Sequence, residues 1–386
     1  MVPLAGHQAA RVDAVGRSEE QGSILTVRSR GAFGLALRTV RECPSDGRVE
    51  GGNMIRLGVL GYGYWGPNIA RNFSITEGCR LAGICDGNPD ALARARKAHP
   101  GVELSTDCRK FIASTDIDAI AVITPVSTHF ELAREVLRNG KHVFVEKPFT
   151  ATTDEAEELI ELAAQKNLKI MVDHTFLFTG AVRKIKQLID DGTLGNLYYY
   201  DSMRVNLGLF QHDVNVIWDL APHDLSIIDH VIKETPEAIV ATGENHFSEH
   251  EYVAYTTIYF QNNVIAHLNV NWLSPVKVRT TLVGGEKRML VWNDLEADEK
   301  IKVYDKGVKI ENSENVYNLL VSYRSGDMWA PKVDTKEALK LETDYFVDCV
   351  MNDRTPFNDG EAGYRVVKML EAADRSLKNR GELVHL

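Results

Sequence analysis

Gly61-Tyr62-Gly63-Tyr64-Trp65-Gly66 sets three glycines at the spacing a chain needs to wrap a pyrophosphate. Gly61 permits the tight turn, Gly63 lets backbone approach the phosphates, and Gly66 lets the following helix pack close to the strand. The helix start then offers free N–H groups and the positive end of its dipole. Tyr64 and Trp65 lie inside this loop and are expected against the same ligand. Asp86 ends the next apolar strand, about 20 residues beyond Gly66. A carboxylate there accepts hydrogen bonds from ribose hydroxyls and repels a 2′-phosphate. The following Gly87-Asn88 brings no arginine to offset that repulsion. NAD(H) is therefore expected rather than NADP(H). The plainer alternative is a structural turn with a helix-capping Asp; strand, loop, helix and acid together favour the cofactor.

Lys147 and the pair Asp219 and His223 are the proton-transfer candidates. A partly desolvated lysine beside a nicotinamide exchanges a proton with a substrate hydroxyl. Taken alone, Lys147 before Pro148 also reads as a surface lysine ahead of a loop proline. Asp219 and His223 are four apart, so a helix puts them on one face. Histidine titrates near working pH. Asp219 orients it, binds a sugar hydroxyl, or caps a helix whose start Pro222 marks. Which of Lys147 and His223 is the base stays open. His174 is either a polar group near the substrate or a buried strand-end residue. Arg204, Asn206, His212 and Asn215 would hold sugar hydroxyls or a diphosphate, or belong to a solvated loop. No His or Cys spacing matches a zinc site, so no metal is expected.

The elements that must hold these residues begin after Met54. Ile55–Leu60, Arg80–Cys85, Val102–Leu104, Asp118–Thr124, His142–Val145 and Leu168–Val172 read as short strands. Helical stretches over Pro67–Ser74, from Asn88-Pro89, Cys108–Ala113, Phe130–Leu137 and Thr153–Gln165 separate them. That alternation implies right-handed βαβ units around a parallel sheet. The second half differs. Tyr252–Phe260 and Val264–Leu273 alternate around Gln261-Asn262-Asn263, as a hairpin does. Val278–Val283 and Arg288–Trp292 flank Gly284-Gly285, another turn. An antiparallel sheet of at least four strands follows, and a helix near Glu361–Lys378 closes the chain.

The 386 residues exceed what one core usually serves. We expect a dinucleotide-binding domain over 54–173, a substrate and oligomerisation domain over 174–360, and a terminal helix and tail over 361–386. Residues 1–53 lack periodicity and an apolar signal core. They are expected to be a disordered extension, or to precede a true start at Met54. The net charge of −10 argues against a broad nucleic-acid surface, and no apolar run is long enough for a bilayer. Five cysteines without CxxC spacing point to a reducing cytoplasm.

Three further segments carry a resemblance. Thr124-Pro125-Val126-Ser127-Thr128-His129 ends the fourth strand, Glu146-Lys147-Pro148 follows the fifth, and Asp219-Leu220-Ala221-Pro222-His223 supplies a DxxxH pattern. With the glycine loop, their order and separation over nearly all of Met54–Leu386 resemble the glucose–fructose oxidoreductase/inositol dehydrogenase (Gfo/Idh/MocA) family, in its nucleotide-sugar dehydrogenase-like branch. The resemblance implies an α/β fold: a doubly wound Rossmann sheet, then an α+β domain with a large open, mainly antiparallel sheet. It implies that Thr124, Pro125, His129, Glu146 and Lys147 border the cofactor, that His223 shuttles a proton, and that Asp219 partners it or the substrate. The implied substrate is a nucleotide-linked sugar or its uronic acid, acted on by a homo-oligomer, dimer or tetramer. A free-polyol or inositol dehydrogenase, and a non-catalytic NAD-sensing regulator on the same fold, are the rivals.

Overall fold

The computed structural model describes residues 54–208, 210, 213–310 and 321–386, so the expectations for residues 1–53 and for His212 lie outside the described residues. Strand and helix alternate at first: β1 (Ile55–Leu60), α1 (Gly66–Ser74), β2 (Cys79–Cys85), α2 (Pro89–Ala98), β3 (Glu103–Ser105), α3 (Cys108–Ala113), β4 (Ala119–Val122), α4 (His129–Arg138), β5 (His142–Glu146), α5 (Thr153–Lys166) and β6 (Ile170–Asp173). The strands pair in parallel in the order β3-β2-β1-β4-β5-β6. Their apolar residues are buried on both faces, Ile120 and Ala121 alike, as helices on both sides require. Asn88, Asp107 and Thr152 cap α2, α3 and α5 by accepting backbone N–H groups. The order reverses between β1 and β4, which opens a crevice at the carboxyl ends of the strands.

After α6 (Gly180–Asp190) come β7 (Leu197–Leu207), α7 (Val216–Val231), β8 (Pro236–Asn245), β9 (Glu251–Phe260), β10 (Ile265–Asn271), β11 (Leu273–Gly285), β12 (Met289–Asn293), β13 (Ile301–Ile310) and β14 (Val321–Trp329). The chain ends in α8 (Ala338–Met351), α9 (Gly360–Lys378) and β15 (Val384–His385). The second sheet has nine strands in the order β14-β13-β12-β11-β7-β10-β9-β8-β15. All its pairs are antiparallel except β10 with β7, so the sheet is mixed rather than purely antiparallel. Residues 204–207 are strand, not the solvated loop weighed above. α7 and α9 cover one face, burying Ala266, Leu268 and Val270. Met203, Tyr255, Tyr259, Ile265 and Leu282 stand exposed on the other. Among the described residues no helix is long and apolar enough to cross a membrane.

α8 returns to the parallel sheet and packs on α1. Phe346 of α8 meets Phe73 of α1 and Phe144 of β5 in an edge-on aromatic cluster, centroids 5.6–6.0 Å apart. α9 packs on both α5 and α7, tying the two sheets together.

Candidate functional site

The glycine loop sits at the sheet's reversal. Gly61 has φ +96°, and a Cβ there would stand 2.1 Å from the Ile123 carbonyl oxygen. A Cβ on Gly66 would stand 2.3 Å from the Gly61 carbonyl oxygen, which is the close helix–strand contact foreseen. Gly63 is the opposite case: nothing lies within 4 Å of its Cβ position. The loop surface is thus bare where a pyrophosphate would approach, and α1 begins at Gly66 without a side-chain cap to compete for its N–H groups. Asp86 accepts from Tyr62 N at 2.6 Å and from Asn88 N at 2.7 Å, so its carboxylate is fixed beside the loop. Tyr64 is exposed. Trp65 instead turns inward and donates its indole N–H to Asp173 at 2.9 Å.

Thr124 and Pro125 border the same crevice at the end of β4. His129 is buried, its ring nitrogens 2.8 Å from the Pro148 and Thr124 carbonyl oxygens. It braces one loop against the other and leaves no ring nitrogen for a ligand. The Lys147-Pro148 peptide is cis. Lys147 Nζ donates to the Asp219 carbonyl at 2.9 Å and stands 3.7 Å from its carboxylate. Trp272 Nε1 holds the other Asp219 oxygen at 3.0 Å.

α7 starts at Val216, earlier than Pro222 implied, and Asn215 is its cap rather than Asp219. Asn215 Oδ1 accepts from Ile217 N and Trp218 N, while its amide donates to Glu251 and Asp374. Every polar group of Asn215 is thereby engaged, which removes it from the sugar-binding candidates. Pro222 lies inside the helix, lacks the N–H for Trp218 O and crowds that carbonyl. The disturbed ladder lies next to the Asp219 carbonyl that takes the lysine.

His223 follows one turn later. Its Nδ1 is buried without a partner, and its ring lies 4.9 Å from that of Phe176. Burial, then the charges of Lys147, Arg204 and Arg279, hold its pKa well below the usual histidine range. His174 is buried with neither ring nitrogen partnered, and burial lowers it to about 4. Both imidazoles are neutral at working pH. Arg204 is buried in an ion pair with Asp224, Nε to Oδ2 2.6 Å, so it is not a free sugar ligand. Asn206 is half-buried two residues along β7, on the same face. Lys147, Asp219, His223 and His174 are therefore brought together. Phe176, Arg279 and Glu342 join them with no motif to announce them.

Glu342 belongs to a group of acids behind the lysine. Glu146 and Asp173 end neighbouring strands in register. Thr175 and Trp65 donate to Asp173, while Glu146 and fully buried Glu342 each keep one carboxyl oxygen buried and unpartnered. Burial, then the charge of Asp173, pushes both glutamates well above the carboxylate range. A folded-state pKa above the unfolded one means stability is lost as pH rises through the interval between them. Glu342→Gln removes that loss at little steric cost. Its melting temperature is expected to exceed the parent's at pH 8, with a gain that shrinks as pH falls toward the unfolded carboxylate range. Thermal melts across pH read this directly, and an offset independent of pH would contradict the assignment.

Comparisons with known proteins bear on both halves of the chain. Residues 55–174 match the model of the oxidoreductase family with an NAD-binding Rossmann fold, and residues 182–291 match the GFO/IDH/MocA C-terminal domain. A UDP-N-acetylglucosamine 3-dehydrogenase from Acidithiobacillus ferrooxidans is 26% identical over 326 residues, 81% of this chain and 94% of that protein. Its solved structure superposes with a TM-score of 0.70 at 24% identity, covering 84% of this chain and 98% of that one. A scyllo-inositol dehydrogenase from Lactobacillus casei, solved with NAD(H) and scyllo-inositol, gives a TM-score of 0.69 at 21% identity over 86% of this chain and 99% of that one. Another match is partial: the chain spans 62% of an uncharacterized Streptococcus pneumoniae oxidoreductase at 25% identity and 56% of its own length. The chain belongs to the Gfo/Idh/MocA family of oxidoreductases and uses NAD(H) on its Rossmann sheet.

Proposed function

We propose that the protein interconverts a secondary alcohol and a ketone on a sugar, nucleotide-linked or its uronic acid, using NAD(H). One observation carries the reading: the Lys147 ammonium is anchored on Asp219, one helical turn from His223, at the carboxyl ends of the parallel sheet. A bound NAD⁺ would supply the acceptor for a hydride leaving the substrate carbon; the chain's own residues manage the oxygen. Lys147 donates a hydrogen bond to that oxygen and stabilises the charge it gains. His223, neutral and with a free nitrogen, accepts the hydroxyl proton. Asp219, held by Trp272, keeps Lys147 in place. A regulator that only senses NAD has no use for a lysine and an imidazole held this way, so the enzymatic reading is favoured over it. The exposed apolar face of the second sheet supports a homo-oligomer, a dimer or tetramer. The deciding assay is NADH formation with a panel of nucleotide sugars, uronic acids and free polyols. Absence of NADH on all of them would defeat the proposal, and turnover of polyols alone would transfer it to an inositol-type dehydrogenase.

Asp86 sets cofactor choice. Asp86→Ala is expected to weaken NADH binding by about 10- to 100-fold, the worth of hydrogen bonds to a charged group. It should weaken NADPH binding less, because the repelling carboxylate is gone. Fluorescence titration of both nucleotides measures the ratio, and an unchanged ratio would count against this role.

A further inference from the structure

Arg204 of β7 and Arg279 of β11 face each other directly across an antiparallel pair. Strand alternation puts both on the face that α7 covers, where Arg204 meets Asp224. Like charges directly opposed in a sheet are destabilising, so the pairing calls for a reason. Arg204 is matched at 2.6 and 3.2 Å by Asp224, yet its Nη1 is buried without a partner. Arg279 is held only at 3.4 Å by Asp294, which Lys300 also approaches at 3.6 Å. The side chain of Arg279 stays 34% exposed. Among the described residues these three cations meet two carboxylates, one positive charge in excess. Both guanidinium groups lie over the Phe176 ring, at 4.5 and 5.7 Å, and His223 lies 4.9 Å from the same ring. The surplus charge therefore stands beside the proton acceptor, where it lowers that group's basicity. For a neutral sugar that is only a cost. For an anionic substrate it would be an attraction.

We propose that Arg279 recognises an oxyanion carried by the substrate, with Arg204 as the fixed brace beside it, so that the site prefers acidic over neutral sugars. This rests on the sugar-oxidoreductase reading above. The anionic group is a carboxylate on the ring or the diphosphate of a nucleotide sugar, and both present the paired oxygens a guanidinium fork fits.

The test compares full-length parent, Arg279→Gln and Arg279→Lys, each with NAD, on glucuronate, UDP-N-acetylglucosamine and scyllo-inositol. Arg279→Gln is expected to raise KM for an anionic probe by about 10- to 100-fold. It should cause no loss on scyllo-inositol, where the charge beside His223 is only a cost, and Arg279→Lys should recover part of the loss on the anionic probe. A defect confined to glucuronate identifies the carboxylate; one confined to UDP-N-acetylglucosamine identifies the diphosphate. Equal loss on all three probes, or none on any, overturns the proposal. If the parent turns over none of these three probes, the wider substrate panel above decides the dehydrogenase reading. Calorimetric binding of the two anions to the NADH-loaded protein then decides Arg279 separately. Binding lost in Arg279→Gln supports it; equal binding, or none by the parent, overturns it.

Discussion

Lys147→Ala is expected to lower turnover by about a thousandfold while NADH binds within a fewfold of the parent. Among the described residues the ammonium's hydrogen-bond and ion-pair contacts are to the carbonyl and the carboxylate of Asp219, which is not part of the glycine loop. Removing the ammonium leaves Gly61–Gly66 and Asp86, the proposed nucleotide cradle, intact and takes away the donor proposed for the reacting oxygen. Lys147→Arg should rescue little, because a planar fork cannot occupy the place of a compact ammonium. Steady-state kinetics with NADH fluorescence on the same samples separate the effects. Turnover within tenfold of the parent would remove Lys147 from the chemistry.

The second large effect is on the cofactor loop, and it takes two variants to read. Gly61→Ala meets a fixed obstacle: φ is +96°, and the added Cβ falls 2.1 Å from Ile123 O and 2.7 Å from Ile123 C. That backbone is tied to β1 by Ile123 N to Leu60 O at 2.7 Å, so it cannot yield without parting β1 from β4. Left-handed strain and overpacking together should cost about 3 kcal/mol or more, with cofactor binding lost as well. Gly63→Ala meets nothing within 4 Å. Its melting temperature should match the parent's while NADH binding weakens, since the methyl stands where a phosphate would approach the backbone. Equal melting temperatures for the two variants would contradict the geometry assigned to Gly61; unimpaired NADH binding by Gly63→Ala would contradict the loop's role.

The parallel sheet and the glycine loop were legible because their causes are local. A strand buried on both faces must be apolar throughout, and positive φ in a turn selects glycine, as at Gly61, or asparagine, as at Asn262 and Asn263. The Gln261–Asn263 hairpin was readable for the same reason. α6 was passed over although Thr179 caps it and Val182, Ile185 and Ile189 mark its buried stripe. α8 was harder, because its buried face carries Glu342 and Thr343 where apolar residues would announce a helix.

What the sequence by itself determined is the backbone chemistry: which residues turn, which strands bury both faces, and that Asp219 and His223 share a helix face. What only the tertiary structure decided is which distant groups meet. Arg279 faces Arg204 because β11 pairs with β7 in one register, and Glu342 lies behind Lys147 because α8 folds back on α1. Local propensities act within a turn or two of chain, whereas register and helix docking follow from burying whole faces at once. No spacing in the sequence encodes those distances.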